Sequence, residues 1–317
     1  MTGLPVELAC RLAHCPPERL WLIENLWADQ AVGIVGGEPK SCKSFLALDM
    51  VVAVASGTPC LRRFPVAHAG RVLLYAAEDA LHVVRARLDG IARAAAVRLA
   101  DLDIHVITAP SLRLDLADDQ RRLAETVAAL QPRLLVLDPL VRLHRIDENA
   151  AAEVAPLLAY LRDLQRRFHL AVVLVHHARK GAGRIRAGQA LRGSSELHAW
   201  GDSNLYLRRA DEQLQLSVEH RAAPSYGGLA LALRGTADLL ALEILDSTPT
   251  PPSPSPREPS PADKVERLLA DAGTPVRLNA LRLSCHMRAT TLGAALAELC
   301  GAGRVRKTPA GYELTVR

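Results

Sequence analysis

The sequence predicts an α/β fold: a mostly parallel sheet with helices on both faces, then a small second module of helices and a hairpin. Three observations predict it. Five short apolar runs, AVGIVGG (31–37), RVLLYAAE (71–78), IHVIT (104–108), RLLVLD (133–138) and AVVLVHH (171–177), are continuous rather than alternating, as strands buried on both faces are. Amphipathic stretches such as Lys43–Ser56 and Ala151–Phe168 fall between them, and strand alternating with helix yields a parallel sheet covered on both sides. Lastly, STPTPPSPSPREPSP (247–261) holds seven prolines in fifteen residues. Proline removes backbone donors and fixes φ, so this stretch reads as an extended, solvated spacer between residues 1–246 and 262–317.

After the fifth strand, SNLYLRRADEQLQLSVEHRA (203–222) reads as two strands joined by a polar turn at Asp211-Glu212. Apolar runs at 229–234 and 239–245 then finish the sheet on an antiparallel edge. The bulk numbers agree with a folded, water-facing chain: of 317 residues 49% are apolar, enough for one sizeable core. No apolar run approaches the roughly 18 residues of a membrane span. The opening MTGLPVELACRLAHC is broken by charges and does not read as a secretory signal. Cysteines 10, 15, 42, 60, 285 and 300 form no C-x-x-C pair, so the expected compartment is a reducing cytoplasm with free thiols. Charge is uneven: residues 262–317 hold nine Lys/Arg against five Asp/Glu, a net +4, which points to a polyanionic partner.

The chemistry concentrates at the ends of the apolar runs. GEPKSCKS, from Gly37 through Glu38, Pro39, Lys40, Ser41, Cys42 and Lys43 to Ser44, has the length, first glycine and final Lys-Ser of a phosphate-binding P-loop. A strand precedes it and an apolar-periodic helix follows, so a helix N-terminus points at the loop. Cys42 stands where that pattern has its second glycine. It must adopt either an ordinary α conformation or a strained one that glycine takes freely. Downstream, LLVLD ends in Asp138 as a Walker B strand does, an acid suited to Mg²⁺. YAAED ends in Glu78 and Asp79, and AVVLVHH ends in His176 and His177. Parallel strands all finish on the ligand side of such a sheet, so these groups converge on the loop. Strand alternation sends one histidine into the core and the other toward the site.

The order P-loop, "AAED", "LLVLDP", "VLVHHARKG", "LRGSS" over roughly residues 20–235 resembles RecA-fold ATPases of the RepA-type hexameric replicative helicase group, most of all in LLVLDPLVRLHRIDENAAAEVAPLL. In that group the position of Cys42 accepts residues other than glycine. The resemblance implies ATP with Mg²⁺: Lys43 and Ser44 on phosphate and metal, Asp138 as the second metal group, Glu78 as the base polarising the attacking water. It makes His176 or His177 the sensor of the γ-phosphate. It also implies a homo-oligomer, a hexamer in that group, with an arginine reaching the next subunit's site. Asp202 stands at the corresponding place, so Arg208, Arg209 and Arg221 are the substitutes, and Arg221 is chosen because the family puts basic residues after that strand.

Two further regions suggest DNA. KGAGRIRAGQALR (180–192), with Lys180, Arg184 and Arg186, is the loop that in RecA-like rings meets single strands; its glycines and cations suit phosphate tracking, although it lacks aromatics for stacking. Arg192-Gly-Ser-Ser195 reads equally as a turn and helix cap. The tail, with helices at 262–273, 278–285 and 290–299 and a hairpin over 304–316, resembles a winged helix-turn-helix. That places Arg288, Thr290 and Thr291 at the start of the helix that would enter duplex DNA, and Arg304, Arg306 and Lys307 in the wing. Winged helices also serve as protein-interaction modules, and that alternative stays open. So does an ATP-switched regulator or loader in place of a motor.

Overall fold

The computed structural model describes residues 6–11, 20–148, 150–177, 195–210, 213–236, 239–245, 261–285 and 289–315. The chain forms two compact units, Met1–Asp246 and Ser247–Arg317. In the first, the elements run β1 (Trp21–Ile23), β2 (Trp27–Ala28), β3 (Val32–Gly37), α1 (Lys43–Ser56), β4 (Val72–Ala76), α2 (Leu81–Ala94), β5 (Ile104–Val106) and α3 (Ala117–Leu130). There follow β6 (Leu134–Asp138), α4 (Ala151–Phe168), β7 (Ala171–His177), α5 (Ser195–Trp200), β8 (Ser203–Ala210), β9 (Gln213–His220), β10 (Tyr226–Thr236) and β11 (Leu239–Ile244). Nine strands form one sheet in the order β11-β10-β9-β8-β3-β7-β6-β4-β5. From β8 to β5 every pairing is parallel, and from β8 to β11 every pairing is antiparallel.

The expected parallel sheet with an antiparallel edge is therefore present, and the reason is burial. β3, β6 and β7 are buried along almost their whole length, which only continuous Val/Ile/Leu runs satisfy. Val35, Leu74, Val136 and Val173 pack on α1 and α2 on one face; Ile34, Leu73, Leu135 and Val172 pack on α3 and α4 on the other. Each fully buried side chain of this kind contributes roughly 1.5–3 kcal/mol. β1 and β2 form a separate two-stranded ribbon around the fully buried Trp27, whose indole N–H donates to Ala31 O at 3.3 Å.

The strand ends set the geometry of function. Gly37, Ala76, Asp138, His177 and Ala210 all lie at the carboxyl edge of the parallel part, in register: Gly37 pairs with His177 and Leu207, and Ala76 with Asp138. β9 runs back, so His220 pairs with Ser203 at the opposite, amino edge.

The second unit contains α6 (Pro261–Ala272), α7 (Leu278–Ser284), α8 (Ala289–Gly301) and the hairpin β12 (Val305–Thr308) and β13 (Gly311–Leu314). Val265, Leu269, Leu281, Leu292, Leu296 and Leu299 build its own core. The proline-rich stretch up to residue 260 lies outside the described residues. Among the described residues no helix is long and apolar enough to cross a membrane.

Candidate active site

Residues 37–44 form the expected strand-loop-helix. A Cβ on Gly37 would stand 2.2 Å from Leu207 O and 2.8 Å from Ser41 Oγ, so the loop begins where only glycine fits. Ser41 is buried and its hydroxyl donates to Glu38 O at 2.8 Å, folding the loop on itself. Cys42 caps α1 with φ 61° and ψ 26°, in the left-handed region, and its side chain makes no cap hydrogen bond. Of the two conformations open to it in the sequence, the strained one is adopted, at a cost of roughly 1–2 kcal/mol. Burial raises its thiol above the usual range in spite of Arg209, Lys43 and Arg87 nearby. A protonated thiol is a poor nucleophile, so Cys42 is a small tolerated residue rather than a reactive one.

Lys43 and Asp138 meet at the bottom of a cleft of ≈ 290 Å³ that Lys40, Ser41, Cys42, Ser44, Glu78 and His177 also line. Lys43 is almost fully buried, and its ammonium donates to Glu38 O at 2.7 Å. Burial pushes it down to about 8, although Asp138, Cys42, Glu78 and Glu38 all favour its charge. Asp138 is pushed the other way, up to about 6, by burial first and by Asp79 and Glu78, despite a hydrogen bond from Ser44 and the charge of Lys43. A desolvated cation short of anions beside a desolvated carboxylate short of cations is what a site for a phosphate chain and a divalent ion requires. The first turn of α1 carries no acid and no side-chain cap, leaving its N–H groups for an anion. No three His, Cys, Asp or Glu among the described residues are placed to hold a metal by themselves. Mg²⁺ at Ser44 and Asp138 therefore fits the usual mode of few protein groups with phosphate oxygens. Bound there, Mg²⁺ neutralises phosphate charge.

The histidines divide as alternation demands. His176 is 1% exposed, whereas His177 lines the cleft. Burial, then the Lys43 charge, lowers His177 below the usual imidazole range, and among the described residues its buried Nδ1 has no hydrogen-bond partner. Glu78 stands in the turn between β4 and α2, its Oε1 accepting from Arg142 Nε at 3.0 Å. Its neighbour Asp79 pairs with Arg87, whose guanidinium also sits 5.2 Å from the Phe45 ring.

The cleft thus brings together Lys40 to Ser44, Glu78, Asp138 and His177, with Gly37, Glu38 and Pro39 shaping the loop. It does not include His176. Arg221 is a correction: the antiparallel return of β9 carries it to the amino edge, where it pairs with Asp202 at 3.3 Å and donates to Ala199 O. Arg209, on β8, is the arginine at the cleft, donating to Lys40 O at 3.3 Å. Lys180, Arg184, Arg186 and Arg288 lie outside the described residues, as does the side chain of Thr290. In the second unit Thr291 is exposed, but Arg304 is held by Glu266 and Arg306 by Glu313. Lys307 is exposed, with no ion pair among the described residues.

The AAA domain family profile matches residues 4–183, a span that takes in the P-loop and the strand ends bearing Glu78, Asp138 and His177. The chain belongs to the AAA domain family. Among solved structures, the ATPase domain of a helicase matches at 13% identity and a TM-score of 0.52, covering 69% of this chain and 87% of that one. The RadB recombinase matches at 16% identity and a TM-score of 0.49, with 69% and 92% covered. The likeness to the helicase ATPase domain shows the fold, which is RecA-like. This AAA-domain protein is a P-loop ATPase that uses ATP with Mg²⁺. Sequence reasoning missed Arg142, Arg87 and Arg209 as parts of the site, each an isolated cation in an otherwise ordinary turn, helix or strand.

Proposed function

We propose that the protein is an ATP-driven, DNA-associated factor, a helicase-like motor or replication factor of the RepA type, working as a homo-oligomer. The observation that carries this reading is the convergence of Lys43, Ser44, Glu78, Asp138 and His177 on one cleft at the carboxyl edge of the sheet. In it, Lys43 and the N-terminus of α1 hold the phosphates, Ser44 and Asp138 the metal, Glu78 orients and deprotonates the attacking water, and His177 meets the γ-phosphate. A helicase ATPase domain among the solved neighbours supports the motor class. The loop 178–194, which follows β7 directly after His177, is the proposed contact for single-stranded DNA. The second unit is read as a winged helix that meets duplex DNA.

A second reading of that unit has its own support. Among its described residues α8 presents Thr291, Gly293, Ala294, Ala297, Glu298 and Cys300 to solvent, without a cation. With Arg304 and Arg306 neutralised as well, the unit suits a protein partner better than its net charge suggests. ATP turnover by the intact protein with and without single-stranded or duplex DNA, beside Lys43→Ala and Glu78→Gln, tests the main reading. Turnover raised several-fold by single strands and abolished by both changes is expected. ATP binding with no turnover, indifferent to DNA, overturns it. Duplex binding that survives deletion of 262–317 assigns the tail to a protein partner.

A further inference from the structure

Arg142 occupies a place that stability does not explain. Its side chain is 62% exposed and Glu78's is 42% exposed, and an ion pair so open to water contributes only about 0–1 kcal/mol. Yet its backbone is held firmly. Arg142 ends a short turn, Leu140–Arg142, that follows β6, and the flanking Leu140 and Leu143 are 1% and 0% exposed in the core. Leu143 O accepts from Leu114 N at 2.6 Å. His144, the next residue, is buried with its Nε2 3.4 Å from Glu148 Oε1. Burial raises the Glu148 carboxyl, but the hydrogen bond from His144 and the imidazoles of His176 and His177 more than offset this and hold it below its usual range. The turn is thus fixed from both sides, by apolar packing before and after and by a carboxylate among imidazoles beyond. One exposed guanidinium is left to reach back to β4.

We infer that Arg142 is the positioning residue for Glu78: it fixes Oε1 and so leaves Oε2 to the attacking water. Among the described residues Arg142 supplies the one hydrogen bond to the Glu78 side chain. A carboxylate on a turn loses rotamer freedom when it must take one orientation, and a pre-placed donor removes part of that cost before substrate arrives. The exposure of the pair fits this role, since nothing in the fold depends on it. The inference rests on Glu78 acting as the general base, and the test separates the two.

The experiment is steady-state ATP hydrolysis by the full-length protein as wild type, Glu78→Gln, Arg142→Ala, Arg142→Lys and the double variant Glu78→Gln/Arg142→Ala. Melting curves serve as a check on folding. Expected are a loss of at least about a hundredfold in kcat for Glu78→Gln and about tenfold for Arg142→Ala, with KM for ATP within about twofold and the melting temperature unchanged. Arg142→Lys should recover part of the loss, and the double variant should be no slower than Glu78→Gln alone. Arg142→Ala turning over at or above the wild-type rate while Glu78→Gln is inactive overturns the positioning role and leaves the general base standing. Additive losses in the double variant overturn it too. An active Glu78→Gln overturns the general base, and the inference with it.

Discussion

The two edges of the parallel sheet carry similar charges and treat them oppositely. At the amino edge, Asp202 accepts from Val32 N at 3.3 Å, from both nitrogens of Arg162 and from Arg221, and Arg162 also lies over the Trp200 ring. One carboxylate there is saturated by two cations and a backbone donor. At the carboxyl edge, Lys43 and Asp138 are buried without enough opposite charge, and His177 has a ring nitrogen with no partner among the described residues. Desolvation of a charge is costly unless it is paired and hydrogen-bonded. An edge whose polar groups are satisfied is a structural joint; an edge whose polar groups are short of partners is waiting for a ligand.

The strongest way to break this contrast is to empty the carboxyl edge. Lys43→Ala should lower kcat for ATP by at least about a hundredfold, since a preorganised charge on the phosphates is lost. The melting temperature should stay level or rise, because a desolvated cation is removed. ATP with Mg²⁺ at about a hundred times its dissociation constant should stabilise the wild type by ~2.7 kcal/mol and this variant hardly at all. A variant that melts far below wild type would place Lys43 among the structural groups and undo the distinction.

The amino edge should answer in the opposite sense. Asp202→Ala leaves Arg162, a largely buried guanidinium, without its carboxylate and strips Val32 N–H of an acceptor. The expected loss is about 3 kcal/mol of stability, read from denaturant unfolding, with turnover per folded molecule unchanged. Arg221→Ala, at the exposed side of the same joint, should cost less than about 1 kcal/mol. A fall in its kcat without a fall in stability would instead mean that this arginine acts on a neighbouring subunit.

Much of this is legible in the sequence. A strand buried on both faces has to be a continuous apolar run, so β3, β4, β6 and β7 announce themselves, and the polar residue that ends each run must lie on one edge. Lys43, Glu78, Asp138 and His177 can therefore be placed together from the order of the runs alone. What escapes depends on pairings distant in sequence. Nothing local marks Arg142, whose partner Glu78 lies on another strand's turn. Arg304 and Arg306 read as free wing cations because Glu266 and Glu313 are brought to them only by the packed unit. Arg221 is different: two antiparallel strands after β3 return the chain to the amino edge, so its position follows from the hairpin already read at 203–222. The error lies in ranking it by family habit over strand direction.

The smallest effect concerns the loop itself and sharpens the contrast most finely. Cys42 holds the left-handed conformation that glycine would take freely, at the junction where N–H groups turn toward the phosphates. Cys42→Gly removes roughly 1–2 kcal/mol of native-state strain. It also gives the unfolded chain more freedom, worth about 0.4–1 kcal/mol, and loses a side chain packed partly against the α1 face of the core. These contributions nearly cancel, so stability should move by no more than about 1 kcal/mol, with ATP turnover kept. Cys42→Val should behave differently, because a β-branched residue tolerates positive φ least of all. Its turnover should fall well below that of Cys42→Gly, measured at the same folded fraction. If valine is accepted as readily as glycine, the left-handed turn is not what shapes the phosphate cradle.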